Sequence, residues 1–379
     1  MKRIAVASIS ARALAEAAAR EGFGVVALDL FGDLDTQRAA TRWQSIGAPQ
    51  MLQLDGALLL DALAQIARDD EAQGWIAGSG FEGQPDLLDA AHSRLPLIGN
   101  GADTVRRVRE PQAFFGVLDA HGVAHPPVRY DTPADARGWL RKDFAGCGGW
   151  QVQRAEQASD VELSPTQYLQ RWHDGAPMSA TFIADGQRAR MLGCNLQLSR
   201  EIGHAPFAWR GVIGPLPMSD AVQVQVMEAL QALVGAFGLR GLCSLDLLLR
   251  EPGPRVEVLE VNPRPPASLD LYAVHGLPVI DAHLRACDGG GLDTLPTMPA
   301  LPPRGSAVVF ARRDMMLGPA AAQWLAAQSR VHDVPPRATG FLAHAPVCSV
   351  SAAGDDIAAV QEQLQQRADA LLGALETFE

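Results

Sequence analysis

Several kinds of sequence feature are missing or scarce in this chain. Five cysteines are scattered over 379 residues, as Cys147, Cys194, Cys243, Cys287 and Cys348. No CxxC pair exists, so neither a zinc site nor a disulfide framework is expected, and a reducing compartment, the cytoplasm, is the simplest setting. Basic residues are outnumbered: Lys plus Arg is 32 against 43 Asp plus Glu, a net charge of −11. A nucleic-acid-coating or membrane-surface protein needs the opposite sign or a dense basic stretch, and neither is there. No apolar run approaches the roughly eighteen residues that span a bilayer. Arg12 and Glu16 break the first apolar stretch, which reads as a strand and an amphipathic helix rather than a signal peptide. There is no internal repeat. The first βα turn, Ser8-Ile9-Ser10-Ala11-Arg12, does not fit the GxGxxG dinucleotide fingerprint, which disfavours a Rossmann-type oxidoreductase.

What is present is an ordinary globular composition, 47% hydrophobic and 20% charged, long enough for two or three domains. Strand and helix alternate over residues 1–100: Ile4–Ile9, Ala11–Arg20, Val25–Leu28, Leu58–Arg68, Trp75–Ala77, Leu87–Ala91 and Leu95–Ile98. Such alternation predicts a parallel sheet covered on both faces. Gly99-Asn100-Gly101 marks a boundary. Residues 101–295 mix helices (Pro111–His121, Ser219–Phe237) with strand pairs. Asp185-Gly186 joins one hairpin, Met178–Ala184 with Arg188–Leu196, and Glu251-Pro252-Gly253-Pro254 joins a second, Cys243–Leu249 with Arg255–Val261. Trp209-Arg210-Gly211 and Gly214-Pro215 read as a loop near a cleft, where Arg210 is a candidate for holding a substrate carboxylate. Gly289 to Pro303 reads as a connector. Residues 296–379 carry two strands, Ala307–Phe310 and Val347–Val350, and a final helix with Ile357, Val360, Leu364, Leu371 and Leu375 near helical spacing.

Two segments carry chemistry. In Glu257-Val258-Leu259-Glu260-Val261-Asn262-Pro263-Arg264, alternation along a strand puts Glu260 and Asn262 on one face. Two hard oxygen ligands two residues apart suit Mg²⁺. Asp246 lies among leucines in the preceding strand, and the hairpin turn brings it beside Glu260. Taken singly, Asp246 reads as a strand-end carboxylate in solvent and Asn262-Pro263 as a turn. A cation explains the set together, because two adjoining carboxylates repel without one. Arg264 follows as a fixed positive charge for an anionic transition state. The second segment is Lys142-Asp143-Phe144-Ala145-Gly146-Cys147-Gly148-Gly149-Trp150. It is not a Walker A sequence. Its glycines let backbone N–H groups approach phosphate oxygens, and Lys142 supplies a point charge. Alone it reads as a surface loop. Asn195 and Gln197 share a strand face and can reach substrate as well as solvent. The cysteines read as packing residues.

The order of these parts, a Lys before a Gly-rich loop, the stretch Tyr168-Leu169-Gln170-Arg171-Trp172, an Asp in one strand and Glu-x-Asn-x-Arg in the next, resembles the ATP-grasp superfamily. That resemblance spans most of the chain. It implies a mixed α/β and α+β architecture: an N-terminal parallel-sheet α/β domain (1–100), an ATP-grasp region (101–295) and a small C-terminal α/β domain (296–379). It implies ATP bound by Lys142 and by Arg109, which stands where Lys is usual. Gly146, Gly148 and Gly149 are implied to fold over the triphosphate, and the backbone of Gln170, Arg171 and Trp172 to hold the adenine. Gln170, His173 or Asp174 is left for the ribose. Asp246, Glu260 and Asn262 are implied as ligands of Mg²⁺, or Mn²⁺, and Arg264 and Lys142 as catalytic residues at the reacting phosphate or acyl group. Ala13–Glu16, Phe31–Thr36 and Gly80-Phe81-Glu82 further resemble a carboligase-like branch, similar to ligases of methanofuran- and tetrahydromethanopterin-type cofactor biosynthesis such as tyramine–glutamate ligase.

The expected activity is therefore ATP-dependent ligation of a small-molecule carboxylate to an amine through an acyl phosphate, with no nucleic-acid or membrane partner and with the homodimer common in the superfamily. Bicarbonate-driven carboxylation of the biotin-carboxylase type needs a biotin carrier, and the chain shows no recognisable carrier segment. A nucleotide-binding protein without turnover is the remaining alternative, against which the retained carboxylates speak.

Overall fold

The computed structural model describes residues 2–157, 162–295 and 301–378. Residues 296–300, part of the expected connector and the start of the expected C-terminal unit, lie outside them.

The N-terminal unit is the parallel sheet that alternation predicts. β1 (Arg3–Ala7), α1 (Arg12–Arg20), β2 (Gly24–Asp29), α2 (Leu34–Ala39) and β3 (Arg42–Ser45) follow one another. A two-residue pair, β4 (Gly47–Ala48) and β5 (Gln53–Leu54), then leads to α3 (Gly56–Arg68), β6 (Trp75–Ala77) and α4 (Pro85–His92). The strand order is β3-β2-β1-β6, with every pair parallel. β2 is buried at every position, which fits its unbroken apolar run between two helical layers. α3 starts where Asp55 accepts hydrogen bonds from Ala57 N and Leu58 N, and it buries Leu59, Ala62, Leu63 and Ile66 along one stripe. Leu95–Ile98 differs from expectation: it makes only an isolated parallel bridge, Trp75 to Leu97. The Gly99–Gly101 boundary is pinned. Asn100 donates to Arg240 O and Pro263 O, both at 2.9 Å, and accepts from Arg240 N at 2.9 Å.

Two helices, α5 (Ala102–Arg109) and α6 (Pro111–Ala120), lead into a small antiparallel sheet of β7 (Val128–Arg129), β8 (Trp139–Asp143), β9 (Gln153–Arg154) and β10 (Gln167–Arg171), in the order β7-β10-β8-β9. The rest is built on one large antiparallel sheet. Its members are β11 (Ala176–Asp185), β12 (Ala189–Ile202), β13 (Ala205–Leu216), β14 (Arg240–Arg250) and β15 (Arg255–Asn262), with α7 (Asp220–Phe237) between β13 and β14. After α8 (Asp270–Ala273) and α9 (Val279–Cys287) come β16 (Arg304–Phe310), β17 (Met315–Leu317), α10 (Pro319–Ala326), β18 (Val331–His332), β19 (Thr339–Phe341), β20 (Pro346–Ala353) and α11 (Ile357–Leu375). The sheet order is β15-β14-β11-β12-β13-β16-β20-β18. Three strands of the 296–379 unit, β16, β20 and β18, thus extend the sheet of the central region through the β13–β16 pairing, while β17 and β19 pair with each other as a separate antiparallel ribbon.

β13 runs through Trp209-Arg210-Gly211 and Gly214-Pro215, so the loop expected there is a strand. β12 and β16 claim its two edges, and that pairing overrides its glycines and proline. One face of the large sheet packs on α6, α7, α10 and α11 through residues such as Phe182, Leu245, Val258 and Leu364. On the other face Ile183, Leu192 and Tyr272 pack with the N-terminal unit, α8 and α9. Leu245 and Leu247 are buried in the α7-side core, so the pleat turns Asp246 to the opposite face.

Candidate active site

The two hairpin strands place the acidic pair in register. Asp246 lies directly opposite Glu260, and Ser244 opposite Asn262. On the far side of Asp246 the register slips by one residue, Leu247 facing Val258, a bulge that bends the ribbon at the carboxylates. Asn262 Nδ2 donates to Asp246 Oδ2 at 3.2 Å, and Gln197 Nε2 donates to Asp246 Oδ1 at 3.2 Å. Gln197 is itself held by Trp209 Nε1, which donates to its Oε1 at 2.6 Å. Asn195 does not reach the pair. It is buried, donating to Thr181 Oγ1 and accepting from the Tyr272 hydroxyl.

Three cations surround Glu260. Arg109 Nη1 is 3.5 Å from Glu260 Oε2, and Lys142 and Arg264 act on it through charge. Burial alone would raise the Glu260 acid, but Arg109, Lys142 and Arg264 outweigh it and hold the group below the ordinary carboxylate range. Asp246 goes the other way. Burial, then repulsion from Glu260, pushes it up to about 7. Lys142 stays above its ordinary value: burial would lower it, but Tyr168 and Glu260 more than compensate. Its register partner across β8–β10 is Tyr168, and its Nζ donates to Gln170 Oε1 at 3.2 Å.

The glycine loop closes over this pocket. Arg109 Nε and Nη2 donate to Phe144 O at 3.0 and 2.8 Å, and Nη2 also donates to Gly146 O. Trp209 N donates to Gly148 O at 2.9 Å. Gly148 and Gly149 have φ of +66° and +74°, and a Cβ on Gly149 would stand 2.1 Å from Phe207 O, so only glycine fits there. Cys147 lies just before them, between Gly146 and Gly148. Burial, then the charge of Glu82, raises its thiol to about 11, so it is a thiol rather than a nucleophile at neutral pH.

Along the linker, Gln170 is buried and its Nε2 has no hydrogen-bond partner. The Arg171 side chain turns outward, donating to Arg137 O and lying over Trp139, which leaves only its backbone for a nucleotide. Trp172 packs on Phe207, with Arg154 over both rings. Of the other residues considered for ribose, His173 Nδ1 is engaged with Glu257 Oε2 at 2.6 Å, and Asp174 accepts from Trp172 Nε1 at 3.2 Å. Arg210 is not part of this site. It points to the opposite side of β13 and donates to Gln365 Oε1 on α11 at 2.8 Å.

Glu82 is the residue that motif reading did not place. It follows β6 in the N-terminal unit, is 8% exposed, and accepts from Arg264 Nε at 2.6 Å. The available signal was positional: crevices at the carboxyl ends of parallel strands hold ligands.

Oxygen donors from two carboxylates and one amide fit Mg²⁺, which keeps positions for phosphate oxygens. Asp246 is raised first by burial and then by Glu260, in spite of Arg264 and Lys142, and a divalent ion between the two carboxylates would relieve that repulsion. Among the described residues no group of three or more His, Cys, Asp or Glu side chains gathers for a metal, so the ion would rely on this pair, Asn262 and its nucleotide. Buried Gln170 Nε2 and Arg109 Nη1 both lack hydrogen-bond partners and fit a bound polar ligand.

Residues 112–268 match the model of the ATP-grasp domain family. These residues form an ATP-grasp domain. The whole chain has the ATP-grasp fold: it superposes on biotin carboxylase from Campylobacter jejuni, solved as a β,γ-ATP complex, with a TM-score of 0.72, 14% identity and coverage of 99% of this chain and 95% of that one. It is similar to L-amino acid ligase from Bacillus licheniformis, with a TM-score of 0.69, 15% identity and 97% of each chain covered. Against Rhizobium etli pyruvate carboxylase the TM-score is 0.73 at 17% identity over 96% of this chain, which spans 38% of that protein. At such identities the likeness is one of fold. No helix among the described residues is long and apolar enough to cross a membrane.

Proposed function

We propose that the chain is an ATP-dependent ligase that joins a carboxylate to an amine through an acyl phosphate. The observation that carries this reading is the facing pair Asp246 and Glu260 beneath Arg109, Lys142 and Arg264. A nucleotide-binding protein without turnover has no need of adjoining half-buried carboxylates, which repel each other until a divalent ion joins them.

Mg²⁺, held by Asp246, Glu260 and Asn262, would neutralise phosphate charge when bound. Lys142 and the glycine loop hold the triphosphate, and Gln170 faces the nucleotide. Arg264 faces the group in transfer. The substrate carboxylate attacks the γ-phosphorus of ATP, and ADP leaves. The amine then attacks the acyl carbon, phosphate departs, and the amine proton goes to solvent or phosphate. The protein supplies no covalent nucleophile. It holds anions together, matches their charge and excludes water from the acyl phosphate. The net charge of −11 is no obstacle, since only the cleft needs positive potential.

The finer reading is ligation in the biosynthesis of a one-carbon cofactor of the methanofuran or tetrahydromethanopterin type. It is supported by the Phe31–Thr36 and Gly80–Glu82 stretches, which lie beyond the carboxyl ends of the parallel strands β2 and β6 of one sheet. Five free thiols fit a reducing cytoplasm, and dimerisation is proposed from the family habit alone.

The test is a phosphate-release screen of amino acids, beginning with glutamate, paired with small amines in the presence of ATP and Mg²⁺. We expect release that needs both partners, and a hydroxamate when hydroxylamine replaces the amine. Release that needs bicarbonate and biotin instead would move the protein to the carboxylases. Mg²⁺-ATP binding without release for any pair would leave it a silent binder.

A further inference from the structure

The strongest partner of Arg264 comes from across the crevice. Glu82 Oε1 accepts Arg264 Nε at 2.6 Å, and Glu82 Oε2 accepts Gly80 N at 2.8 Å. Both carboxylate oxygens are engaged, one fixing the loop after β6 and the other fixing the guanidinium. Contact through Nε leaves the two terminal nitrogens for another partner. They make only long contacts, Nη1 with Pro265 O and Nη2 with Asn262 Oδ1, each at 3.4 Å. A guanidinium presents its donors in a planar fork, so the edge that Glu82 occupies decides which edge remains for an anion. The same loop backs the glycine loop, since a Cβ on Gly83 would lie 3.0 Å from Ala145 O. A buried ion pair is a poor source of stability, because desolvation offsets the attraction. Orientation is the better account of a charged pair between units that lie 182 residues apart in sequence.

We propose that Glu82 is a positioning residue that turns the terminal nitrogens of Arg264 toward the anionic oxygens of the group in transfer, so that the N-terminal unit sets the geometry of the reacting end. This rests on the ligase reading above and adds to it a residue that makes no contact with the nucleotide.

Calorimetry compares wild type, E82Q, R264A and E82Q/R264A for binding of Mg²⁺-ADP alone and Mg²⁺-ADP with aluminium fluoride, a mimic of the transferring phosphoryl group. Turnover is measured with the acid and amine that the phosphate screen identifies. We expect E82Q to leave ADP affinity within ~3-fold while losing roughly 10–100-fold of the extra affinity for the mimic and of kcat. Adding E82Q to R264A should cost nothing more, since no guanidinium remains to be aimed. If E82Q does not fold, E82D, which keeps the charge but retracts it by one methylene, serves in its place. Wild-type affinity for the mimic in the variant overturns the proposal. So does a parallel loss of ADP and mimic affinity, the mark of a merely structural role, or a full E82Q penalty on the R264A background. Each of these leaves the ligase reading standing. A wild-type protein that binds neither nucleotide overturns both.

Discussion

Asp246 and Glu260 show how one pair of side chains sets pH behaviour. Asp246 has its folded-state acid raised to about 7 by burial and by Glu260, against roughly 3.9 in an unfolded chain. Between those values the folded state holds more protons than the unfolded one. Stability from this group is therefore present at low pH and lost as pH rises from roughly 4 to about 7. A metal must displace that proton. The rise in Tm on adding Mg²⁺ and ATP should accordingly grow between about pH 6 and pH 8, and a thermal scan with and without Mg²⁺ across that range checks it. An increment independent of pH would mean that the ion does not meet Asp246. Glu260→Gln should lower turnover at least ~100-fold with the fold intact by circular dichroism; retained activity would refute the metal assignment. Lys142→Ala should weaken nucleotide binding, read by calorimetry, and an unchanged affinity would remove it from the phosphate site.

Among the elements, the glycine loop between β8 and β9 is held from two sides, by Arg109 through Phe144 O and Gly146 O and by β13 through Trp209 N. Gly149→Ala would require a left-handed backbone, costing about 1–2 kcal/mol, and would drive its Cβ against Phe207 O. The loop must then lift from β13. We expect an increase of ~10-fold or more in the KM for ATP with little change in the urea midpoint, because the strain is relieved by moving the loop. A variant with wild-type KM would show that the loop does not cover the triphosphate. The linker has its own tie. Glu257, 1% exposed, joins His173 and Arg250, so the ribbon that carries Glu260 also carries the anchor of the linker.

For the molecule as a whole, Arg12 joins three separate segments. From α1 it reaches Asp270 Oδ2 of α8 and Asp333 Oδ1 after β18, both at 2.7 Å, and Glu16 of its own helix at 3.2 Å. Asp35 Oδ2 and Oδ1 accept from Asp333 N and Val334 N, which tightens the same junction. Arg12→Met removes the cation from this group of carboxylates and should cost about 3–5 kcal/mol, seen as a lower urea midpoint and partly restored by adding Asp333→Asn. An unchanged midpoint would mean that the apolar core alone joins the segments.

Much of this was readable from the chain itself, for a definite reason. Asp246 and Glu260 sit in consecutive strands joined by a short Pro-Gly turn, so local geometry already places them together, and alternation along β15 puts Asn262 on the same side. The parallel N-terminal sheet follows from buried apolar runs spaced by helices. Periodicity and turn chemistry act over a few residues, and these features need no more than that. The rest depends on contacts between distant segments. The pairing of β13 with β16 turned an apparent loop into a strand, carried Arg210 to the back of the sheet and joined β16, β20 and β18 to the central strands. The grip of Glu82 on Arg264 and of Arg109 on the glycine loop arose only when separate units met across the crevice, because hydrogen bonds between remote residues leave no periodic trace in the sequence.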